Sequence, residues 1–270
     1  MLIDFIKMQG CGNDFIIIDN RRGARKFSAR EVMVIADRRF GIGCDQLVLM
    51  EKSRHANIFM RIYNADGSEV NSCGNASRCV ALLLFGETGK KEVIIETRAG
   101  IISAKKAAKN MVAVNMGKPG LKWQEIPLAK KVDTLQLDIK FGPLSKPAAV
   151  SMGNPHMVFF VDNAAKIPLA KLGPELENHP LFPEKANIGV AEIKSSSKIR
   201  LRVWERGAGE TLACGTGACA ALVAANLRGL TGRKALVALP AGELSIEWQK
   251  SGAVIMAGPA EVSFVGVFEI

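Results

Sequence analysis

The sequence predicts an α/β (α+β) protein built from two related domains that arose by internal duplication. Its 270 residues, 48% of them hydrophobic, can bury two cores, and two domains of roughly 130 residues each fit the usual domain size. Segments of the first half recur in the second half at a constant offset of 141 positions. Several matches at one spacing indicate a duplicated unit.

The most informative match joins two Cys-Gly pairs, each leading into an apolar run. Cys73-Gly74-Asn75 in the first half corresponds to Cys214-Gly215-Thr216 in the second. The other matches at this offset are Arg61-Ile62-Tyr63-Asn64 with Arg202-Val203-Trp204-Glu205, Glu69 with Glu210, and Gly12-Asn13 with Gly153-Asn154. One thiol per copy supplies two equivalent reactive groups, which suits a reaction that treats both mirror faces of a substrate alike. The duplication therefore points to a racemase or an epimerase.

The elements of the first half follow from periodicity and punctuation. A helix is predicted from Ser28 to about Arg38, because Glu31 completes a capping box with Ser28. The apolar run 76–85 predicts a buried helix, which Gly86 and Gly89 end. Strands are predicted over residues 14–19, 47–50, 57–63, 93–97, 101–104 and 111–115, with a turn at Asn64-Ala65-Asp66-Gly67.

The second half repeats this plan after Gly117-Lys118-Pro119-Gly120, which is the best candidate for the domain boundary. We expect one domain over residues 1–117, carrying Cys73, and another over 118–261, carrying Cys214, with the strand 262–270 as a candidate for return to the first domain. The elements predicted are strands at 133–140, 157–161, 187–193 and 198–205, a Pro-interrupted helical region at 166–176, an apolar helix at 217–227, and late strands.

Charge and hydropathy exclude several classes of function. The net charge of +10 lies in short lysine clusters without interleaved aromatic residues, so we expect no nucleic-acid partner. No apolar stretch reaches the length that spans a bilayer, and the N-terminus lacks a signal-peptide layout. We therefore expect a soluble, cytoplasmic protein without a membrane partner.

The six cysteines form no C-x-x-C pair, and the chain has only three histidines. This composition predicts neither a metal site nor a disulfide framework. Cys73 and Cys214 precede the two apolar helices, where a helix N-terminus is expected to lower the pKa of a thiol and to bind a carboxylate. Cys79 and Cys219 lie within those helices and are predicted to be core residues. Cys11 and Cys44 receive no role.

Several polar residues admit two interpretations. Asn64, Asn154 and Asn187 stand at strand edges, where asparagine either forms a turn or contacts a ligand. His156 is either a general acid or base or a hydrogen-bonded structural histidine. Glu205-Arg206 is either a surface ion pair or part of the site that includes Cys214.

In order along nearly the whole chain, these motifs closely resemble the diaminopimelate epimerase family. The matching blocks are Gly12-Asn13-Asp14-Phe15, Asp45-Gln46, Asn64-Ala65-Asp66-Gly67-Ser68-Glu69, Cys73-Gly74-Asn75, Gly153-Asn154-Pro155-His156, Asn187-Ile188-Gly189, Trp204-Glu205-Arg206-Gly207 and Ala213-Cys214-Gly215-Thr216-Gly217. The departures from the family pattern are Gln9 before the first glycine and Ala76-Ser77 after the first Cys-Gly-Asn.

The resemblance implies two pseudo-symmetric domains, each a curved sheet around a central helix, with the substrate in the cleft between them. It implies cofactor-independent interconversion of LL- and meso-diaminopimelate for lysine and peptidoglycan biosynthesis, with Cys73 and Cys214 as the two bases. The residues that it assigns to substrate binding are Asn13, Gln46, Asn64, Gly74, Asn75, Asn154, Asn187, Glu205, Arg206, Gly215 and Thr216. We further expect auxiliary roles for His156 and Glu205, which would tune the thiols and hold the amino group of the substrate.

Two other functions are weighed against this one. A racemase of the same architecture acting on proline or hydroxyproline would leave the distal polar residues unsatisfied. A basic nucleic-acid-binding protein would explain none of the matched blocks. The oligomeric state stays open, with a homodimer as one option.

Overall fold

The computed structural model describes residues 2–23 and 25–269. The chain divides into two compact units, the first formed by Met1–Asn115 with Ala257–Ile270 and the second by Met116–Met256. The predicted α+β class with two repeats is confirmed by the elements within each unit.

Helices and strands alternate through both units. Up to residue 115 they are β1 Leu2–Gly10, β2 Asn13–Asp19, α1 Ala29–Ala36, β3 Gln46–Glu51, β4 Ile58–Asn64, β5 Glu69–Val70, α2 Gly74–Thr88, β6 Glu92–Thr97, β7 Gly100–Ala108 and β8 Met111–Asn115. They continue with β9 Lys140–Phe141, β10 Leu144–Ser145, β11 Ala148–Ser151, β12 Pro155–Phe160, a 3₁₀ turn Ala164–Lys166, α3 Leu169–Glu177, β13 Asn187–Ser195, β14 Lys198–Glu205, β15 Gly209–Thr211 and α4 Gly215–Leu227. The last strands are β16 Lys234–Leu239, β17 Gly242–Trp248, β18 Val254–Pro259 and β19 Glu261–Glu269.

Strand pairing confirms the duplication. In the first unit β2 pairs parallel with β3 and β3 antiparallel with β4, and in the second unit β12, β13 and β14 repeat this order. The registers agree at the offset of 141: Leu47 faces Tyr63, and Ile188 faces Trp204. The Arg61 to Glu69 ion pair, 2.7 Å long, recurs as the Arg202 to Glu210 pair at 2.7 Å.

The two apolar helices form the centre of each unit. Helix α2 packs against β1, β6, β7 and β8, and α4 packs against β11, β12, β13, β14, β16 and β17 of its own unit. Both begin immediately after a cysteine in extended conformation, as predicted, because the strand-like backbone of Cys73 and Cys214 ends where the helix starts. Cys79 and Cys219 are fully buried within them, which confirms their assignment to the core.

The capping box of Ser28 and Glu31 is confirmed at the start of α1, although the helix ends at Ala36 and not near Arg38. The Pro-interrupted helix is also present, with Pro174 inside α3. Strand β1 was not predicted from the sequence. It pairs with β2 and with β19, so that its alternating buried residues lie in the sheet.

The prediction of a strand over residues 133–140 is wrong. Only Lys140 at its end belongs to a strand. Leu137 and Ile139 are buried, but the N–H of Leu137 bonds to the carbonyl of Pro147, and that of Ile139 to Leu137. The alternation of apolar residues here reflects burial of an irregular segment and not a ladder of strand hydrogen bonds.

Among the described residues, no helix combines the length and hydrophobicity that a membrane crossing requires.

Candidate active site

Cys73 is the N-cap of α2 and remains partly accessible. Its Sγ lies 3.9 Å from Oδ1 of Asn13, the first residue of β2. Asn75, two residues further along the helix, donates from Nδ2 to the same oxygen at 3.2 Å. The structure therefore brings together three residues that the sequence assigned to the site, because β2 begins beside the first turn of α2.

Gln46 and Asn64 form a second group in the same unit, at the facing ends of β3 and β4. Gln46 Nε2 donates to Asn64 Oδ1 at 3.0 Å, and Asn64 Nδ2 donates to Ser68 at 3.1 Å. Within the described part of the chain, Gln46 Oε1 is buried without a hydrogen-bond partner. A buried acceptor of this kind is suited to a ligand N–H group.

Cys214 is the N-cap of α4, and it is buried. The backbone N–H of Gly217 donates to its Sγ at 3.3 Å, and the Thr216 hydroxyl lies 3.5 Å from it. Gly217 permits this contact, because a Cβ there would lie only 3.2 Å from the sulfur.

The expectation that the helix N-terminus lowers the pKa of Cys214 is wrong for this state. Burial raises the pKa of its thiol well above the ordinary value, and the charge of Glu205 raises it further. The hydrogen bonds from Thr216 and Gly217 act in the opposite direction but are weaker than these two effects. Cys214 is therefore protonated at neutral pH, which suits a proton donor.

His156 and Asn154 are linked to Cys214 through Thr216. His156 Nε2 lies 3.0 Å from Asn154 Oδ1, and Asn154 Nδ2 donates to Thr216 at 3.4 Å. Because an amide oxygen only accepts, Nε2 of His156 carries the proton in this contact. Burial, together with the charge of Arg206, lowers the pKa of His156 to about 3. The structure shows His156 hydrogen-bonded to Asn154, and the lowered pKa favours the neutral imidazole.

Asn187 and Arg206 are joined through the backbone. Asn187, nearly fully buried, donates from Nδ2 to the carbonyl of Pro155 at 2.9 Å and accepts the N–H of Arg206 at 3.0 Å. The guanidinium of Arg206 donates to the carbonyl of Glu184 at 2.6 Å. Glu205 accepts a hydrogen bond from Thr211 at 2.5 Å. Asn187 therefore fixes the backbone of the turn that carries these two charged residues.

Three residues near these groups were not assigned a role from the sequence. Glu177 is buried at the end of α3 and accepts from Trp204 Nε1 at 2.8 Å and from the N–H of Gly207 at 3.2 Å, on either side of Glu205 and Arg206. Arg78 donates to Asn75, and Asp45 accepts from Asn13, both near Cys73. Only Arg78 had a signal in the sequence, because it is a charged residue inside a mostly apolar helix.

Among the described residues, no group of three or more His, Cys, Asp or Glu side chains is arranged to hold a metal ion.

A scan against family models matches residues 5–122 and 148–263 to the family described as diaminopimelate epimerase. The curated diaminopimelate epimerase of Phenylobacterium zucineum is 52% identical over 266 residues, which cover 97% of this chain and 96% of the relative. That of Acidiphilium cryptum is 51% identical over 262 residues, with 97% and 95% covered.

The fold is shared with solved structures of much lower sequence identity. A phenazine biosynthesis protein of the PhzF family from Enterococcus faecalis superposes with a TM-score of 0.72 at 16% identity, and the match covers 100% of both chains. At this identity the likeness concerns the fold alone.

Proposed function

The chain belongs to the diaminopimelate epimerase family, and from that premise we propose that it interconverts LL- and meso-2,6-diaminopimelate as a cofactor-independent isomerase. The observation that carries the proposal is the repeated cysteine at the start of a central helix. Cys73 caps α2 and Cys214 caps α4, and the strands within the two units pair in equivalent registers. Two equivalent thiols suit a reaction that inverts one carbon.

The proposed mechanism uses the two cysteines as two bases. One thiolate removes the proton from the substrate α-carbon, and the other thiol delivers its own proton to the opposite face, so that the proton count is unchanged and the two sulfurs exchange protonation states. The reverse reaction exchanges the roles. The raised pKa of Cys214 supports its role as the initial donor, which leaves Cys73 as the initial acceptor.

An α-proton is far less acidic than a thiol, so the enzyme must stabilise the carbanionic transition state. We assign this to binding of the α-carboxylate by the backbone N–H groups at the first turns of α2 and α4, at Gly74, Asn75, Gly215 and Thr216. Backbone N–H groups at a helix start have no partner within the helix, and the helix dipole favours an anion there.

The remaining site residues recognise the rest of the substrate in this proposal. Those residues are Asn13, Gln46, Asn64, Asn154, Asn187, Glu205 and Arg206. The buried acceptor Gln46 Oε1 supports a substrate with a further ammonium group. A compact ring such as proline would leave these groups unpaired, and unpaired buried polar groups discriminate strongly against a wrong substrate.

We place the reaction in the cytoplasm, in the route to lysine and to peptidoglycan precursors, with neither a nucleic acid nor a membrane as partner. We also propose a homodimer. The apolar side chains of β19 support it, because Phe264 is 50% exposed, Val265 69% and Val267 56%, and an exposed apolar patch is typical of a self-association surface. Light scattering behind a sizing column measures the mass of the particle and tests this part.

The test of the reaction is exchange of the α-proton. The purified protein is incubated with LL-diaminopimelate in deuterated water, without added cofactor. The products are separated by chiral chromatography, and mass spectrometry measures the deuterium content of each stereoisomer. We expect meso-diaminopimelate carrying one deuterium, and no exchange with L-proline or L-hydroxyproline. Exchange with proline but not with diaminopimelate would contradict the proposal.

A further inference from the structure

A hydrogen-bond chain of four side chains, Arg78, Asn75, Asn13 and Asp45, runs past Cys73. Arg78 Nη1 donates to Asn75 Oδ1 at 2.9 Å. Asn75 Nδ2 donates to Asn13 Oδ1 at 3.2 Å, and Asn13 Nδ2 donates to Asp45 Oδ2 at 2.8 Å. Asn13 and Asn75 are both substrate-binding residues in the proposed function, whereas Arg78 and Asp45 stand behind them.

The two ends of this chain determine its direction. A guanidinium has donors only, and an ionised carboxylate has acceptors only. A side-chain amide has one end of each kind and can turn by half a revolution. If the Asn75 amide turned, its NH₂ group would face the NH groups of Arg78. If the Asn13 amide turned, its oxygen would face the carboxylate of Asp45. With both ends fixed, each amide has one favourable orientation.

The donor end is firmly held. Arg78 is fully buried in α2, and its Nε donates to the carbonyl of Pro259 at 3.1 Å. Gly10 leaves room for the guanidinium, since a Cβ at that position would lie 3.0 Å from Nη2. Burying a cation has a large desolvation cost, which an apolar side chain of this helix would avoid. The polar contacts of Arg78 therefore need an explanation beyond packing.

The acceptor end is held by the backbone of β2. Asp45 Oδ2, the oxygen that accepts from Asn13, also accepts the N–H of Asp14 at 3.1 Å, and the N–H of Asp45 donates to Asp14 Oδ1 at 3.0 Å. These contacts hold Oδ2 beside the first residue of β2. Arg38 Nη2 contacts only the other carboxylate oxygen, Oδ1, at 2.7 Å, from an exposed position.

We propose that Arg78 and Asp45 are positioning residues, which fix the side-chain amides of Asn13 and Asn75 in the one orientation that presents the Asn13 carbonyl oxygen as an acceptor to the Cys73 thiol, the form that Cys73 takes once it has accepted the substrate proton. The proposal rests on the proposed function, in which Asn75 binds the α-carboxylate through its backbone N–H and Asn13 contacts the substrate beside Cys73. The fixed amides present the same donors and acceptors at every turnover, which is the preorganisation that a site needs for efficient proton transfer.

The first test compares Asp45→Asn with Arg38→Gln. Asparagine has nearly the size of aspartate but offers both a donor and an acceptor, so the direction of the chain is lost. Arg38→Gln is the matched control, because it removes the ion pairs of Arg38 with Asp45 and with Asp14 without touching either amide. We expect Asp45→Asn to reduce kcat by about 10- to 100-fold, with a smaller change in KM, and Arg38→Gln to stay within about twofold of wild type, since surface ion pairs contribute little.

The second measurement does not depend on turnover. The side-chain amide of Asn13 is followed in ¹⁵N–¹H spectra of the same proteins. Wild type and Arg38→Gln should each give one sharp pair of NH₂ signals, whereas Asp45→Asn should give broadened or doubled signals from two orientations. A wild type that shows the single orientation but no exchange of the diaminopimelate α-proton would refute the proposed function and leave the positioning role supported.

The donor end is tested by Arg78→Lys and Arg78→Gln. Lysine keeps a group that only donates, whereas glutamine can also accept and so no longer fixes the direction of the hydrogen-bond chain. Arg78→Lys should therefore retain a higher kcat than Arg78→Gln. Thermal unfolding of both variants checks that each is folded. Should Arg78→Gln fail to fold, the Asp45 comparison decides. The proposal is overturned if Asp45→Asn keeps wild-type kcat with a single Asn13 signal, or if Arg38→Gln loses as much activity as Asp45→Asn.

Discussion

The carboxylate of Glu205 raises the pKa of the buried Cys214 thiol. Burial is the main cause of this raised pKa, and the charge of Glu205 adds to it. A thiol that keeps its proton at neutral pH can deliver it, but it becomes a base only after that proton has gone to the substrate. In the proposed mechanism, burial and the charge of Glu205 together therefore favour Cys214 as the cysteine that begins a turnover as donor.

Replacing this carboxylate should make Cys214 more acidic. In Glu205→Gln the negative charge is lost, so we expect the pKa of the Cys214 thiol to fall, although burial still holds it above the ordinary value. The measurement is the pH profile of alkylation by iodoacetamide, read from the Cys214 peptide by mass spectrometry. Glu210→Gln, on the neighbouring strand β15, is the control and should leave the profile in place. An unshifted profile in Glu205→Gln would contradict the pairing.

The four helix cysteines should separate into two classes. Cys73→Ala and Cys214→Ala should each reduce epimerisation by at least about 100-fold, because a two-base reaction has no spare base. Cys79→Ala and Cys219→Ala should retain kcat but lower the free energy of unfolding by about 1–3 kcal/mol through the cavity left in each core. Chiral assays and urea unfolding of all four variants measure this. Near-normal turnover of either variant of the first pair would refute the two-base assignment.

Local signals in the sequence predicted most of the fold. The capping box of Ser28 and Glu31 marks α1, and apolar runs after Cys73 and Cys214 mark the two central helices. The duplication was visible as matches at one constant offset. The strand pairs have the same offset in the structure, as in Leu47 with Tyr63 and Ile188 with Trp204. These features depend on neighbours a few positions apart, or on the comparison of one half with the other.

The errors arose where distant residues decide the outcome. Strand β1 depends on β19, which lies at the other end of the chain, and its buried Lys7 is neutralised by Asp14. A lowered pKa was expected for Cys214, because the helix start beside it is visible in the local sequence. Burial depends on the rest of the fold, and its effect on this pKa is larger. Arg78 escaped notice because one of its partners, the carbonyl of Pro259, lies far from it in sequence.

Activity should be independent of metal ions and of pyridoxal phosphate. The proposed reaction moves only protons between carbon and sulfur, so it needs neither a Lewis acid nor an electron sink beyond the N–H groups at the helix starts. Protein treated with a chelator and with hydroxylamine, then dialysed with a thiol reductant, should retain full α-proton exchange. Loss of exchange that is restored by a divalent metal or by pyridoxal phosphate would show the mechanism to be wrong.

Glu177 should support the turn that carries Glu205 and Arg206. Its carboxylate accepts from Trp204 and from Gly207, on both sides of that turn. In Glu177→Gln one of these donors would face an NH₂ group, so we expect unfolding to cost about 1–3 kcal/mol less and KM to rise several-fold. The exposed Glu175 on the same helix provides the control variant Glu175→Gln. Equal stability and equal KM in both variants would exclude this role.

The neutral state of His156 should make the fold sensitive to acid. Burial and the charge of Arg206 lower the pKa of His156 to about 3, from an ordinary value of 6.5. The unfolded chain therefore binds a proton below pH 6.5 that the folded chain refuses, so the stabilisation is complete above this pH and is lost as the pH falls toward 3. Between pH 6.5 and 5.5 the free energy of unfolding should decrease by about 1 kcal/mol from this group. Urea unfolding at pH 7.5, 6.5 and 5.5 measures it. His156→Gln should lack this component, whereas His55→Gln, at an exposed position, should keep it. A pH dependence unchanged by His156→Gln would mean that the pKa of His156 is the same in the folded and the unfolded chain.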